Sequence, residues 1–95
     1  MANIAAASHI LVNDEKLAQQ LKRKISQGAD FAQLARAHSK CPSAKKGGDL
    51  GEFRKGQMVG PFDKAVFKAD SEKHQCIGPV KTKFGFHLIQ VLYKM

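Results

Sequence analysis

Two histidines near opposite ends of the chain are the first candidates for chemistry. His9 lies in the apolar segment Ser8–Val12, and His87 lies in Phe86–Tyr93, another apolar segment. A single histidine in a strand is usually a core residue whose hydrogen bonds are satisfied. Two imidazoles on neighbouring strands can hydrogen-bond to each other, which fixes the tautomer and orientation of both rings. We therefore expect His9 and His87 to form a pair.

Cys41 is the candidate for a reactive side chain. It lies in a loop predicted over Ser39–Gly51, beside Lys40 and close to Lys45 and Lys46. Positive neighbours favour the thiolate, which is the nucleophilic form of cysteine. A half-buried cysteine that packs the loop against the domain fits the same pattern, because free cysteine behaves as a small apolar residue. The residues alone leave both interpretations open.

Two histidine–cysteine pairs raise the question of a metal site. His38 precedes Cys41 and His74 precedes Cys76, so four side chains are present that would suffice for tetrahedral zinc. Their spacings differ from the usual zinc-binding patterns. His38 also falls at the end of a predicted helix, where a partly buried imidazole needs no metal. We predict no metal site.

Three apolar side chains come from segments in which exposed apolar groups are unexpected. Met58 belongs to a loop, Phe62 to a short helix and Phe84 to a turn. They either seal the edge of the core or form a pocket for a small hydrophobic group of a ligand. Neither spacing nor periodicity decides between these two interpretations.

Composition indicates a single globular domain over residues 1–95. Hydrophobic residues make up 43% and charged residues 25%, and 16 Lys and Arg against 8 Asp and Glu give a net charge of +8. This balance favours anionic partners. Aromatic residues are only 7%, without tryptophan, so any nucleic-acid binding should be weak, non-specific and sensitive to salt.

Two features of the sequence bear on location. No apolar run approaches the ~18 residues of a membrane span, and Met1–Val12 lacks the basic segment and cleavage site of a secretory signal. Two cysteines are too few for the disulfide framework of a small secreted protein. We expect a cytoplasmic protein that does not associate with membranes.

The elements that must position these side chains follow from apolar spacing and turn residues. A nearly continuous apolar strand ends at Val12, which indicates a central strand covered on both faces. Asp14 and Asp30 are typical N-caps of two helices, and Pro61 is typical of the first turn of a third. The other strands are predicted over Leu50–Arg54, Ile77–Thr82 and Phe86–Tyr93, with a polar turn over Asp70–Gln75.

The element order is therefore β-α-α-β-α-β-β, an α+β fold with a small sheet covered by helices. We expect the helices to cover only one sheet face and an edge. A groove should then stay open near the loop over Ser39–Gly51.

Several segments, taken in order, resemble one protein family. They are Ser8–Val12, Ser43–Gly51, Gly56–Val59, Phe62–Phe67, Gly78–Val80 with Thr82, and Gly85–His87. Their identities and spacing are similar to those of the parvulin family of peptidyl-prolyl cis/trans isomerases over nearly the whole chain, and the size resembles that of the small stand-alone bacterial parvulin. The resemblance implies a four-stranded antiparallel sheet surrounded by helices, with a catalytic groove on the exposed side.

The resemblance implies four substrate-binding side chains. Met58 and Phe62 correspond to the floor of the family's proline pocket, and Leu50 lies beside it. Phe84 occupies a position where some relatives carry a small polar residue.

Four further residues correspond to the polar side of the groove. Cys41 corresponds to the residue that faces the isomerising amide, where an electrostatic and hydrogen-bonding role is favoured over a nucleophilic one. His9 and His87 correspond to the paired histidines of the family. Thr82 corresponds to the hydroxyl that joins their hydrogen-bond network.

The implied activity is cis/trans isomerisation of X-Pro bonds in unfolded or flexible polypeptides by a monomer, without cofactor or metal. Relatives that act on phosphorylated sites carry a basic loop after the first strand, whereas Asn13, Asp14 and Glu15 follow it here. We therefore expect unphosphorylated substrates. The alternative is a catalytically silent peptide-binding or chaperone-like module that uses the same groove.

Two features near the groove remain as expectations. The resemblance places seven basic residues at its mouth, where they form either an ordinary solvated surface or a positive rim. They are Lys40, Lys45, Lys46, Arg54, Lys55, Lys81 and Lys83. The segment Ala69–Cys76 lacks the turn expected before Gly78 and has an unusual length.

Overall fold

The described part of the chain, residues 3–58, 60–68 and 76–94 of a computed structural model, forms one antiparallel sheet with helices around it. The strands are β1 (Ile4–Val12), β2 (Asp49–Arg54), β3 (Cys76–Thr82) and β4 (Gly85–Lys94). The helices are α1 (Glu15–Ser26), α2 (Phe31–His38) and α3 (Gly60–Lys68). The predicted element order and the α+β class are confirmed. The predicted turn over Asp70–Gln75 lies outside the described residues.

The sheet has the strand order β2-β1-β4-β3, so β1 is an interior strand that pairs with β2 and β4. Residues 5–10 of β1 are all buried, which confirms the central position predicted from its apolar run. Three strands extend beyond their predicted bounds, since β2 begins at Asp49, β3 begins at Cys76, and β4 runs from Gly85 to Lys94. Backbone hydrogen bonding does not require apolar side chains, so the ladder continues where the apolar pattern ends.

The first two helices pack on one face of the sheet. Both begin as predicted, because the Asp14 carboxylate accepts a hydrogen bond from the Lys16 N–H (2.9 Å) and the Asp30 carboxylate accepts one from the Ala32 N–H (3.3 Å). Their apolar stripes join the sheet in one buried cluster. It comprises Ile10, Val12, Ala18, Leu21, Phe31, Ala35 and Leu88.

The third helix packs on the opposite face, so the expectation that helices cover only one face and an edge is wrong. Phe62 and Val66, four residues apart on α3, are both buried against this face. The small side chains of Ala5 and Ala7 on β1 give the helix room to approach. With only nine residues, α3 covers part of the face, and a groove stays open beside it.

The segment predicted as a loop contains regular structure. Pro42–Lys46 forms a 3-10 helix, and β2 begins at Asp49, inside the range predicted as loop. Proline suits the first position of a helical turn, so Pro42 starts a helix here instead of only interrupting one. In the part of the chain that the structure describes, no helix is long and apolar enough to cross a membrane.

Candidate active site

A largely apolar groove of about 440 Å³ opens between β1, β4, α3 and the 3-10 helix. Its lining residues are His9, Leu11, Lys40, Cys41, Pro42, Leu50, Gln57, Met58, Phe62, Phe84 and His87. Seven of the eight site residues predicted from the sequence are therefore in one place. The eighth, Thr82, lies behind the lining, where it contacts His87.

Phe62 is the centre of the groove's floor. It is the second residue after the start of α3 and only 2% exposed, and its ring meets both imidazoles edge to face. The ring centroids lie 5.6 Å from His9 and 5.4 Å from His87, with interplanar angles of 80° and 83°. Leu50 and Met58 are half-buried beside it. These side chains therefore do more than seal the edge of the core, because they also line an open cavity.

His9 and His87 form the predicted pair. Residues on β1 and β4 bring the rings together at a centroid distance of 5.2 Å and an angle of 17°, with 3.0 Å between the two Nδ1 atoms. Burial lowers the pKa of His9 to about 4, with a further contribution from His87, and burial also lowers the pKa of His87. Both rings are therefore neutral near pH 7, so one Nδ1 donates and the other accepts.

The Thr82 hydroxyl extends the histidine network by one hydrogen bond. Its oxygen lies 2.8 Å from His87 Nε2 and accepts a hydrogen bond from the Phe84 N–H at 3.1 Å. If the hydroxyl donates to Nε2, His87 donates from Nδ1 to His9 Nδ1, and every hydrogen of Thr82 and His87 is used. His9 then carries its proton on Nε2, which is buried and has no partner among the described residues.

Ser39 holds the Cys41 side of the groove against β1. Its hydroxyl oxygen accepts hydrogen bonds from the Leu11 N–H (3.0 Å) and the Cys41 N–H (3.4 Å), while the Lys40 N–H donates to the Leu11 carbonyl (2.8 Å). The sequence analysis missed Ser39. Its only signal was a serine at the end of a predicted helix, where hydroxyl–backbone bonds are common.

Gly48 holds the other end of the same segment against β1. Its carbonyl accepts a hydrogen bond from the His9 N–H at 2.9 Å, and its backbone is left-handed, with φ of +85°. A Cβ atom at this position would lie 2.4 Å from the His9 carbonyl oxygen. Only glycine therefore permits this approach.

Several predicted features lie away from the groove. Of the seven basic residues expected at its mouth, only Lys40 lines it, and the Lys83 ammonium lies 5.2 Å from the centroid of the Phe84 ring. Phe84 itself is 55% exposed at the edge. His38 is exposed, which corrects the expectation of a partly buried imidazole, because the apolar face of α2 ends before it.

The described residues contain no group of three or more His, Cys, Asp or Glu side chains that could hold a metal ion. His74, from the second histidine–cysteine pair, lies outside them. Within the described part of the chain, Cys41 and Cys76 are free thiols, and the Cys41 thiol has no hydrogen bond to an imidazole. The groove therefore offers apolar contact, neutral polar groups and the charge of Lys40 to a small ring. The described residues give the Cys41 thiol no hydrogen-bonded base that would activate it as a nucleophile.

The whole chain matches known isomerase domains. A family model, the PPIC-type PPIase domain, matches residues 1–95. The foldase protein PrsA of Geobacillus sp. (strain WCH70) is 49% identical over 89 residues, which are 93% of this chain and 32% of that protein. The chain thus spans about a third of the length of the curated relatives that it matches.

Two solved structures share the fold. The crystal structure of the peptidylprolyl isomerase PrsA from Bacillus anthracis has a TM-score of 0.93 at 39% identity, over 99% of this chain and 43% of that one. NmPin, the parvulin of Nitrosopumilus maritimus, has a TM-score of 0.85 at 38% identity, over 98% of this chain and 99% of that one. The predicted parvulin-like fold and family resemblance are confirmed, and the chain belongs to the family of PPIC-type peptidyl-prolyl cis/trans isomerase domains.

Proposed function

We propose that the protein accelerates cis/trans rotation about unphosphorylated X-Pro bonds in unfolded or flexible polypeptides. The observation that carries this proposal is the apolar groove whose floor, Phe62, is held against two neutral histidines. A proline ring fits such an apolar groove. The reaction makes and breaks no covalent bond, so the groove needs no cofactor.

The physical basis is selective stabilisation of the twisted amide. Amide resonance gives the planar bond a rotation barrier of ~18–20 kcal/mol, and rotation reduces the charge on the carbonyl oxygen. Only contacts that are stronger in the twisted state than in the planar state accelerate rotation. Apolar contact with the ring, together with few strong donors for the planar carbonyl, has this effect. His9 and His87 support it by remaining uncharged.

The preference for unphosphorylated substrates is supported by the connection after β1. The strand ends at Val12 and α1 begins at Glu15, so only Asn13 and Asp14 separate them. The Asp14 carboxylate is occupied as the N-cap of α1. This short acidic connection leaves no room for a basic loop that would bind phosphate.

Exchange NMR on two peptides tests the proposal. An Ala-Pro peptide and a phosphoserine-Pro peptide of otherwise identical sequence are compared for the rate of cis/trans exchange with and without the protein. We expect faster exchange for Ala-Pro and no preference for the phosphorylated peptide. A clear preference for phosphoserine-Pro would contradict the assignment of substrate class. Phe62→Ala removes the ring that forms the floor of the groove, so it should lower the catalysed rate of exchange.

The second candidate function is a peptide-binding, chaperone-like module. Relatives of this chain are named foldases. A groove of about 440 Å³ can hold a proline-containing peptide without accelerating its cis/trans isomerisation. The same NMR samples separate the two functions. Shift changes of groove residues without faster cis/trans exchange would favour binding alone.

We further infer a cytoplasmic, monomeric protein. Cys41 and Cys76 are unpaired thiols, which suits a reducing compartment, and the groove is complete within one chain. Cell fractionation with the full-length protein and light scattering after size exclusion test these two statements. Recovery outside the cytoplasm, or a dimer mass at micromolar concentration, would contradict them.

A further inference from the structure

Among the described residues that line the groove, one carries a permanent charge. Lys40 lines it beside Cys41, whereas the other lining residues are apolar, amide, thiol or neutral imidazole groups. No described aspartate or glutamate lines the groove. A single positive charge at the edge of an apolar groove attracts a negative group on whatever binds there.

The charge of Lys40 is not neutralised by the carboxylates that the structure describes. Four aspartates accept hydrogen bonds from backbone N–H groups, and Glu52 accepts a hydrogen bond from the Tyr93 hydroxyl. The four are Asp14, Asp30, Asp49 and Asp63. The remaining described carboxylate, Glu15, lies in the first turn of α1 and does not line the groove. Within the described residues, the Lys40 ammonium forms no hydrogen bond or ion pair, and the residue is exposed. It is therefore available to a ligand.

A backbone hydrogen bond fixes the position of Lys40. The Lys40 N–H donates to the Leu11 carbonyl at 2.8 Å, which ties the residue to β1 at the groove wall. Lys40 directly precedes Cys41 and lines the same groove, so a peptide with its proline ring on Phe62 and its isomerising amide at Cys41 has a neighbouring residue beside Lys40. A side chain at that residue comes within reach of a lysine whose stem has four rotatable carbons.

We propose that Lys40 selects substrates that carry a carboxylate on the residue before proline. This inference rests on the proposed function, because it assigns a specificity role within the same groove. The attraction is between an exposed ammonium and a carboxylate, so its effect on kcat/KM is modest, about two- to fivefold. Arg54 and Lys55 do not line the groove, so they contribute only long-range attraction. The Lys83 ammonium lies 5.2 Å from the Phe84 ring at the exposed edge, although Lys83 itself does not line the groove.

The experiment compares tetrapeptides Ala-Glu-Pro-Phe and Ala-Gln-Pro-Phe, which differ in charge but hardly in shape. The ratio of their kcat/KM values is measured by a protease-free isomerisation assay at low and high salt. We expect a ratio of about two to five at low salt that falls toward one at high salt, because the Debye length shrinks from about 30 Å at 0.01 M to about 3 Å at 1 M.

Three variants assign the effect to one residue. Lys40→Gln should bring the Glu/Gln ratio close to one, and Lys40→Arg should keep it. Lys45→Gln removes the same charge from an exposed residue of the 3-10 helix that does not line the groove, so it should leave the ratio nearly unchanged. Thermal unfolding of each variant checks that it is folded. The salt series uses the unaltered protein, so its result does not depend on the folding of any variant.

The outcomes separate this inference from the proposed function. Two outcomes overturn the role of Lys40 but not the isomerase function. One is equal kcat/KM of the unaltered protein for both peptides, and the other is an equal fall of the Glu/Gln ratio in Lys40→Gln and Lys45→Gln. Absence of turnover for every peptide overturns the isomerase function and this inference with it.

Discussion

At the scale of single residues, the buried histidines are the group whose state most affects the molecule. His9 is 6% exposed and His87 is 3% exposed, and each has a ring nitrogen in the shared Nδ1–Nδ1 hydrogen bond. A neutral imidazole can be both donor and acceptor, whereas an imidazolium can only donate. One protonated ring can still donate to the Nδ1 of the other, whereas protonation of both rings leaves two donors facing each other. Protonation also places a charge in a buried site, which burial disfavours.

The first prediction is a loss of stability in weak acid. The pKa of His9 is about 4 in the folded protein against 6.5 for a free imidazole, so the unfolded chain binds protons first as the pH falls. The His9 contribution is full above pH 6.5 and is lost between pH 6.5 and 4, by about 3 kcal/mol in the free energy of unfolding. Urea unfolding at several pH values measures this change.

The control for the pH prediction is the exposed histidine of α2. His38→Gln should leave the slope of stability against pH unchanged, because its imidazole takes no part in the buried network. His9→Gln should flatten the slope. A free energy of unfolding that stays constant from pH 7 to pH 5 in the unaltered protein would contradict the assignment.

The second prediction concerns Cys41. The thiol lines the groove without a hydrogen bond to an imidazole, so its expected role is electrostatic. Cys41→Asp should keep much of the kcat/KM for an Ala-Pro peptide, while Cys41→Ala should lower it by about tenfold, which is ~1.4 kcal/mol of transition-state stabilisation. Exchange NMR measures both. Equal inactivity of the two variants would instead indicate an obligatory thiol nucleophile.

At the scale of elements, the segment between α2 and β2 depends on its attachment to β1. Ser39 and Lys40 bind the Leu11 backbone at one end, and Gly48 binds the His9 backbone at the other. Gly47 is equally restricted, because a Cβ atom there would lie 2.7 Å from the Ala32 side chain. The position of Cys41 thus follows from contacts of the whole segment.

The third prediction tests this attachment. Gly48→Ala must move the segment away from His9, so we expect a loss of about 2–4 kcal/mol in the free energy of unfolding and a lower kcat/KM. Gly51→Ala is the matched control, since Gly51 also has a positive φ, +71°, but its Cβ would meet nothing within 4 Å. It should cost only about 1 kcal/mol. Equal losses of stability would show that the approach to His9 does not matter.

At the scale of the whole molecule, the net charge of +8 predicts weak anionic partners. Exposed lysines and arginines lie on helices, strands and turns alike, and the sequence contains no known nucleic-acid-binding motif. The fourth prediction is therefore sequence-independent binding of short single-stranded DNA, with a Kd of about 10⁻⁴–10⁻⁶ M at physiological salt and a steep loss as salt rises. Fluorescence polarisation with two DNA sequences measures it. A preference for one sequence, or binding insensitive to salt, would contradict this interpretation.

Much of this architecture was predictable from local patterns, and the remainder required tertiary contacts. The N-caps Asp14 and Asp30 follow from short-range chemistry, and the apolar run before Val12 indicated a central strand. The pairing of His9 with His87 also followed from the sequence. The 3-10 helix and the role of Ser39 did not, because both depend on where β1 lies. Coverage of the second sheet face by α3 depends on two alanines opposite it, which no periodicity reveals.

The attachment of one segment to β1 at both of its ends has a consequence for the kinetics of binding. His9 contributes its ring to the groove and its backbone N–H to Gly48, so the segment that carries Cys41 is attached to the strand that carries His9. A peptide that enters this preorganised site orders little of the protein, and the entropy lost on binding falls mainly on the peptide. We therefore expect association without a slow conformational phase, rapid exchange of short peptides, and turnover limited by amide rotation rather than by closure of the protein.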